Sequence, residues 1–245
     1  MSRQARVVVP NVPLHITQRG NRKENIFLDD EDKEYYMKSF MFYKKKNRVK
    51  LYAWCIMDNH VHFILEPKTK KSLSKLFGAL NTKYVKYFNK KYQMCGRLFG
   101  DRFFSCLLDE DHLYEGIRYV ELNPWRAKME SEIGEYQWSS SLERLKKRTK
   151  FFLSKLPEYL NISNWLEYLQ EPIEGDVSVI SQTWEAIRNF TIGGTPLGKE
   201  SFINHIKSKV GALFREKYRI KTNCWGLGVN LCEPKKKKCF TSYSS

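Results

Sequence analysis

Several features that mark other classes of protein are missing from this sequence. It has no run of about eighteen apolar residues, which a membrane-spanning helix needs, and its first residues, Met1 to Arg6, do not resemble a signal peptide. Its six cysteines form no CxxC pair, so neither a zinc ribbon nor a disulfide framework is indicated. No internal repeat is present. We therefore expect a cytoplasmic protein with no membrane partner.

Positive charge, in contrast, is abundant. The chain has 245 residues, enough for one full domain and a smaller appended unit. Lys and Arg number 43 against 27 Asp and Glu, for a formal net charge of +16. This excess favours a polyanionic partner, of which nucleic acid is the commonest. An anionic membrane surface is the rival partner.

Hydrophobic periodicity predicts the order strand, helix, strand, strand, helix, strand, helix in the first half of the chain. The predicted ranges are 14–18, 30–46, 51–57, 60–66, 72–92, 103–108 and 109–123. A βαββαβ order within about 110 residues is typical of an α+β fold with a ferredoxin-like antiparallel sheet and helices on one face.

Two histidines stand two residues apart in the third predicted strand. Because side chains alternate along a strand, His60 and His62 leave one face while Val61 goes to the other. One strand can in this way present two imidazoles to one metal ion. The pattern is equally compatible with two ordinary polar residues on a half-exposed face, so the spacing alone leaves both interpretations open.

The last predicted helix carries a tyrosine and an amide on one face. Asp109 is its candidate N-cap, and Tyr119 lies away from the apolar stripe, in line with Asn123 four residues later. Pro124 should end the helix at about Asn123. A tyrosyl hydroxyl and an amide oxygen would then project together from one helix end, although a half-buried boundary aromatic has the same pattern. Tyr114 lies on another face of the same helix and is the weaker candidate for a site tyrosine.

These two stretches and their surroundings resemble the single-tyrosine transposases of the HUH class, in the IS200-like group and its REP-associated branch. The resemblance covers roughly residues 5 to 130. It rests on His60-Val61-His62, on Tyr119 to Asn123, and on the neighbouring motifs Arg19-Gly20-Asn21-Arg22, Met57-Asp58-Asn59, Arg97-Leu98-Phe99, Asp101-Arg102-Phe103 and Pro124-Trp125-Arg126-Ala127. The insertion-sequence enzymes of the group carry Gln at the position of Asn123, whereas the associated branch also has Asn there.

The resemblance implies a function. It implies a metal-dependent endonuclease and strand transferase for single-stranded DNA, with Tyr119 as the catalytic nucleophile that forms a 5′-phosphotyrosine. His60, His62 and Asn123 would hold one divalent ion, Mg²⁺ or Mn²⁺. The partner would be a hairpin or palindromic repeat in single-stranded DNA, and the protein a monomer or a homodimer, nucleoid-associated in a bacterial cytoplasm.

Further residues are expected around this site. His15, on the neighbouring first strand, is a weak candidate for contacting and supporting the metal ligands, and an ordinary strand residue is the interpretation favoured for it. The candidates for DNA contact are polar or cationic, and they are Arg19, Asn21, Arg22, Lys83, Lys86, Arg97, Arg102 and Arg126. Single cationic residues on a helix also serve simply to keep its outer face solvated.

The predicted organisation is a catalytic domain at 1–130, a helical accessory region at 131–225 that can add contacts to DNA, and a basic, disordered tail at 226–245. Within the accessory region a helix is predicted at 199–214, after the turn-rich Gly193-Gly194. Two other functions stay open. One is a domesticated hairpin-binding protein without cleavage, and the other is a metal-dependent hydrolase without a covalent step.

Overall fold

The computed structural model describes residues 6–145, 150–174, 177–211, 218–221 and 231–234. The strands in these ranges are β1 (Leu14–Arg19), β2 (Val49–Met57), β3 (His60–Pro67), β4 (Phe104–Leu107), β5 (Tyr218–Lys221) and β6 (Leu231–Pro234). The α-helices are α1 (Asp30–Lys46), α2 (Ser72–Lys91), α3 (Glu110–Glu121), α4 (Asn123–Arg126), α5 (Ser141–Arg144), α6 (Trp165–Glu174), α7 (Val177–Gly193) and α8 (Glu200–Val210). None of the helices in these ranges is long and apolar enough to span a bilayer.

The first four strands form one antiparallel sheet in the order β2-β3-β1-β4. Asp58 and Asn59 make the tight turn between β2 and β3, so Met57 pairs with His60. β1 lies on the other side of β3, which places the histidine strand inside the sheet. With α1 after β1 and α2 after β3, the order is βαββαβ, and the ferredoxin-like prediction is confirmed.

One face of the sheet packs on α1 and α2. Alternation along β3 sends Val61, Phe63 and Leu65 to this face, where all three are fully buried. Phe63 stacks on Phe40 of α1 with ring centroids 4.4 Å apart, and lies 6.2 Å from Phe77 of α2. Each such side chain contributes about 1.5–3 kcal/mol on burial, so a one-residue slip, which would turn the histidines into this core, is strongly disfavoured.

The opposite face is covered as well, by α3 and α7. A Cβ atom added at Gly116 of α3 would lie 2.9 Å from Leu108 Cδ1 and 3.3 Å from Ile64 Cδ1, so the missing side chain lets α3 lie close to the sheet. α7 packs beside α3 on β1 and β4. The prediction of helices on one face therefore holds for α1 and α2, whereas the second face acquires a cover that the periodicity did not reveal.

The helix that carries Tyr119 begins where the sequence indicated and ends earlier. Asp109 is the N-cap, since its carboxylate accepts a hydrogen bond from the His112 backbone N–H at 3.0 Å. α3 ends at Glu121, and Asn123 opens the short helix α4 with Pro124 in its first turn. Proline is tolerated there because the first N–H groups of a helix have no partner within it.

The second half of the chain is mainly helical in the described ranges. α8 spans Glu200–Val210 of the helix predicted at 199–214, and residues 212–217 lie outside the described residues. The turn before α8 has Gly194 at φ +70°, a conformation that favours glycine. In the segment predicted as a disordered tail, Leu231–Pro234 pair with β5, and the other residues from 226 to 245 lie outside the described residues.

Candidate active site

The histidine pair lies on the sheet face that α3 and α7 cover. His62 pairs with Thr17 across β1 and β3, His60 pairs with Arg19, and directly paired residues share a face. His15, two residues before Thr17, is on that face too. The ring centroids of His60 and His62 are 4.8 Å apart. The strand thus presents both imidazoles side by side, as its alternation predicted.

Each of the two imidazoles uses its Nδ1 atom within the protein. His60 Nδ1 is 2.5 Å from Asn59 Oδ1, and the Asn59 amide is oriented by its Nδ2, which donates to the Lys23 carbonyl at 3.2 Å. An amide oxygen can only accept, so His60 Nδ1 carries the proton and Nε2 carries the lone pair. His62 Nδ1 is 2.9 Å from His15 Nε2. Within the part of the chain that the structure describes, neither Nε2 atom has a hydrogen-bond partner.

Burial keeps these rings neutral. Desolvation lowers the pKa of His15 to about 3 and that of His60 to about 4, with the nearby cations Arg19 and Arg188 adding to the shift of His60. Desolvation also lowers the pKa of His62 well below its usual value. A neutral imidazole is the form that binds a metal ion, so the rings are in the ligand form at neutral pH.

Tyr119 contacts the histidines from α3. Its ring stands edge-on to His15 and His62, with centroid distances of 5.4 and 5.6 Å, and its side chain is buried. The Arg126 guanidinium lies over the same ring, 4.9 Å from its centroid. The Tyr119 ring therefore contacts both the imidazole rings of His15 and His62 and the guanidinium group of Arg126.

The weaker candidate, Tyr114, faces elsewhere. Its hydroxyl accepts a hydrogen bond from Arg118 Nη2 at 3.3 Å, and its ring packs on Tyr168 of α6 at a centroid distance of 4.5 Å. Tyr119 is thus the tyrosine of α3 that the structure brings to the histidines.

Asn123 follows Tyr119 by four residues, and its buried side-chain nitrogen has no hydrogen-bond partner among the residues that the structure describes. Because the two ends of an amide exchange places on a half-turn, the same position can hold the oxygen. Among the residues that the structure describes, no three His, Cys, Asp or Glu side chains gather to hold a metal ion. Asn123 is the third ligand that the resemblance implies beside His60 and His62, and its amide is a neutral oxygen donor.

α7 adds three residues that the sequence did not single out. Thr191 Oγ1 lies 2.7 Å from His15 Nδ1, Arg188 acts on His60 by its charge, and the Trp184 ring lies 4.5 Å from the Arg126 guanidinium. Their spacing of four and three residues puts them on one helix face. That spacing is visible in the sequence, but nothing in it shows what the face meets.

The predicted DNA-contact residues lie in three places. Two loops meet beside the Asp58-Asn59 turn, joined by hydrogen bonds from the Asn21 N–H to the Leu98 carbonyl at 2.8 Å and from the Gly100 N–H to the Arg19 carbonyl at 3.2 Å. We call the outer edge of these loops the loop ridge. Its predicted contact residues are exposed, except for the half-buried Asn21, and they are Arg19, Asn21, Arg22, Arg97 and Arg102.

Lys83 and Lys86 do not join this group. Both are exposed residues of α2, the helix that packs on the sheet face opposite to the histidines. The Lys83 ammonium group is 5.6 Å from the centroid of the Tyr35 ring on α1. Arg126, by contrast, is at the site itself, over Tyr119.

The fold and the site together define a class of protein, namely ferredoxin-like α+β domains that hold a histidine pair on an inner strand against a tyrosine on the helix after the fourth strand. The family model described as "Transposase IS200 like" matches residues 8–123, somewhat less than half of the chain, and this segment is similar to that family. The matched segment contains both histidines, Tyr119 and Asn123, whereas α7 lies beyond it.

Solved structures resemble the chain at low sequence identity. One is a REP-associated tyrosine transposase bound to a REP hairpin, at 16% identity and a TM-score of 0.50, covering 66% of this chain and 96% of that one. Another is a putative transposase from Deinococcus radiodurans R1, at 17% identity and a TM-score of 0.35, covering 52% of this chain and 92% of that one. No curated protein sequence is significantly similar to the chain.

Proposed function

We propose that this protein is a metal-dependent endonuclease and strand transferase for single-stranded DNA, with Tyr119 as its covalent nucleophile. The observation that carries the proposal is the contact of the Tyr119 ring with His62, at a centroid distance of 5.6 Å, on the one sheet face that also presents His60. In this arrangement, one scissile phosphate can be reached both by Tyr119 and by an ion bound to His60 and His62. The family match supports the same activity.

His60 Nε2, His62 Nε2 and the Asn123 amide oxygen are the ligands we assign to the ion. Two imidazoles and one neutral oxygen leave coordination positions open. The family resemblance favours Mg²⁺ or Mn²⁺, and of these two ions Mn²⁺ is the better match for imidazole ligands. When bound, the ion polarises the scissile phosphate and offsets the charge of the transition state.

In the proposed step the Tyr119 oxygen attacks phosphorus in line with the bond to the 3′ oxygen. A tyrosine–phosphorus bond forms, the phosphorus–O3′ bond breaks, the phenol loses its proton and the 3′ oxygen gains one. A 5′-phosphotyrosine and a free 3′-hydroxyl result. Because one phosphodiester replaces another, strand transfer in the reverse direction needs no ATP.

Single-stranded DNA that folds into hairpins is the proposed substrate. The related structure at a TM-score of 0.50 is described as bound to a REP hairpin, which supports a hairpin for this chain as well. The cationic loop ridge and Arg126 lie next to the histidines and Tyr119, where they can pair with backbone phosphates. Lys83 and Lys86 are on the far side of the sheet and are weaker candidates for contact with the cleaved strand.

Tyr119 contacts His15 and His62 of its own sheet. This supports cleavage by a monomer rather than by a dimer that exchanges tyrosine helices. Sedimentation or size exclusion of the active protein on hairpin DNA tests this assignment, and activity confined to a dimeric species would contradict it.

Adduct formation tests the central proposal. The protein is incubated with a labelled hairpin oligonucleotide and Mn²⁺, and covalent protein–DNA adducts are counted after denaturation. We expect an adduct with the wild type and with Tyr114→Phe, the matched control on the same helix, and none with Tyr119→Phe. Peptide mapping should place the nucleotide on Tyr119.

The outcomes separate the alternative functions. Binding of the hairpin without any adduct would favour a DNA-binding protein that does not cleave. Cleavage that persists in Tyr119→Phe but is lost in His60→Ala would favour a hydrolase without a covalent step. Either result would overturn the proposal.

A further inference from the structure

A chain of hydrogen bonds runs behind His62 from α7 to the sheet. We propose that Thr191 and His15 are positioning residues that hold His62 in the tautomer whose Nε2 lone pair faces the metal ion. The inference rests on the proposed function insofar as His62 is taken as a metal ligand. Its geometric part does not depend on any ion.

The hydrogen-bond chain begins at a backbone carbonyl group of α7. Thr191 Oγ1 lies 2.6 Å from the Ile187 carbonyl oxygen, a separation that requires the hydroxyl proton to lie between the two oxygens. With its only proton committed, the Thr191 hydroxyl can only accept at its other contact, which is His15 Nδ1 at 2.7 Å. His15 therefore carries a proton on Nδ1.

The same reasoning continues to the metal ligand. A buried, neutral His15 with its proton on Nδ1 has a lone pair on Nε2, and this atom lies 2.9 Å from His62 Nδ1. His62 Nδ1 must then be the donor. The remaining nitrogen, His62 Nε2, keeps its lone pair. Since the two imidazole rings are also nearly parallel, at a centroid distance of 5.1 Å and an interplanar angle of 13°, the hydrogen bond lies close to both ring planes, and the orientation of His62 is held as well as its tautomer.

Loss of the Thr191 hydroxyl should reverse which ring donates in the hydrogen bond between His15 and His62. His15 Nδ1 would have no acceptor, whereas a proton on His15 Nε2 could still be donated to His62 Nδ1. His15 would then favour the Nε2–H form, and His62 would have to carry its own proton on Nε2. That form cannot bind an ion without first changing its tautomer.

The two candidate ligands are thus supported differently. His60 takes its partner from its neighbour Asn59, in the segment that the family model matches, whereas His62 depends on Thr191, in a helix beyond residue 123. α7 packs on β1, β4 and α3, which fixes Thr191 behind His15. The second half of the chain would in this way become part of the metal centre rather than an appendage to it.

The test uses the full-length protein and two measurements. Side-chain ¹⁵N NMR of the metal-free protein reports which nitrogen of each histidine is protonated, and calorimetric titration with Mn²⁺ alone reports affinity. Thr191→Val removes the hydroxyl and Thr191→Ser keeps it. Thr82→Val is the matched control, because Thr82 donates to the Gly78 carbonyl at 2.8 Å in the same way but lies on α2, away from the site.

We expect the wild type, Thr191→Ser and Thr82→Val to show His15 and His62 protonated on Nδ1 and to bind Mn²⁺ alike. Thr191→Val should shift both rings toward the Nε2–H form and bind Mn²⁺ about tenfold more weakly. His15→Leu, which removes the middle member of the hydrogen-bond chain, should weaken Mn²⁺ binding as well. This variant replaces Thr191→Val in the test if Thr191→Val does not fold.

Two results would overturn the inference, namely a His62 protonated on Nε2 in the wild type, or unchanged tautomers and Mn²⁺ affinity in Thr191→Val. Its failure is distinguishable from failure of the proposed function. A wild type that binds no Mn²⁺ but shows the expected tautomers would refute the ligand assignment and leave the hydrogen-bond chain standing.

Discussion

Glu121, two residues after Tyr119, offers a direct test of what holds the tyrosine helix in place. Its carboxylate is fully buried and accepts three hydrogen bonds, from Ser140 Oγ at 2.6 Å, Arg144 Nε at 3.1 Å and Trp165 Nε1 at 2.7 Å. Burial raises the pKa of Glu121, so the charge itself is held at a cost. The loss on truncation should therefore come from the donors that are left without an acceptor.

The structure sets an order of magnitude for two substitutions. Glu121→Ala leaves Arg144 without its buried partner, a change that costs about 3–5 kcal/mol of unfolding free energy. Glu121→Gln keeps one oxygen toward Ser140 and Arg144 but turns an N–H toward Trp165 Nε1. One unsatisfied donor of this kind costs about 1–3 kcal/mol. Glu158→Ala is the control, because Glu158 and Lys155 form an exposed pair at 3.7 Å, which contributes about 0–1 kcal/mol.

Urea unfolding followed by circular dichroism measures all three free energies. We expect the loss of stability to decrease from Glu121→Ala to Glu121→Gln to Glu158→Ala, with an unchanged dependence on urea concentration. A loss below about 1 kcal/mol for Glu121→Ala would refute the reasoning, since it would mean that the three donors find other partners once the carboxylate is gone.

Two further predictions concern the histidines and the amide. The folded pKa values of His15 and His60, about 3 and about 4, lie below the ordinary 6.5, so the unfolded chain binds more protons from about pH 3 up to 6.5. The free energy of unfolding should therefore rise with pH across this window, and the contribution of these rings to stability is lost as the pH falls. Urea titrations at several pH values check this, and a His15→Gln variant whose stability has the same slope against pH as the wild type would contradict it. Asn123→Ala should weaken Mn²⁺ binding about tenfold or more while Asn123→Gln retains it, and equal calorimetric affinities for the wild type and Asn123→Ala would exclude the amide as a ligand.

Much of the first half of the chain could be predicted from local pattern. Strand alternation placed His60 and His62 on one face, and the two-residue turn at Asp58-Asn59 set the hairpin, because both depend only on neighbours in sequence. The N-cap at Asp109 followed from the same kind of short-range rule. The end of α3 was less accurate, since Pro124 is compatible with two outcomes, a stop or the first turn of a new helix.

The candidate site was predictable in part. The spacing of Tyr119 and Asn123 indicated a shared helix face, but the approach of that face to His62 depends on Gly116, which lets α3 lie against Ile64. The sequence identified the cationic residues but did not indicate which of them lie near the histidines. Only the packed structure separates those of the loop ridge from Lys83 on α2, because the two groups are divided by the sheet.

By itself, the sequence determined the order of elements in the first half of the chain, the face that each histidine occupies and the identity of the residues with suitable chemistry. These properties follow from backbone periodicity and side-chain type, which act over a few residues. Tertiary structure alone decided that a second layer covers the histidine face, and that Thr191 reaches His15 across 176 positions of chain at 2.7 Å. Contacts at such separation follow from how whole elements pack, and no local pattern records them.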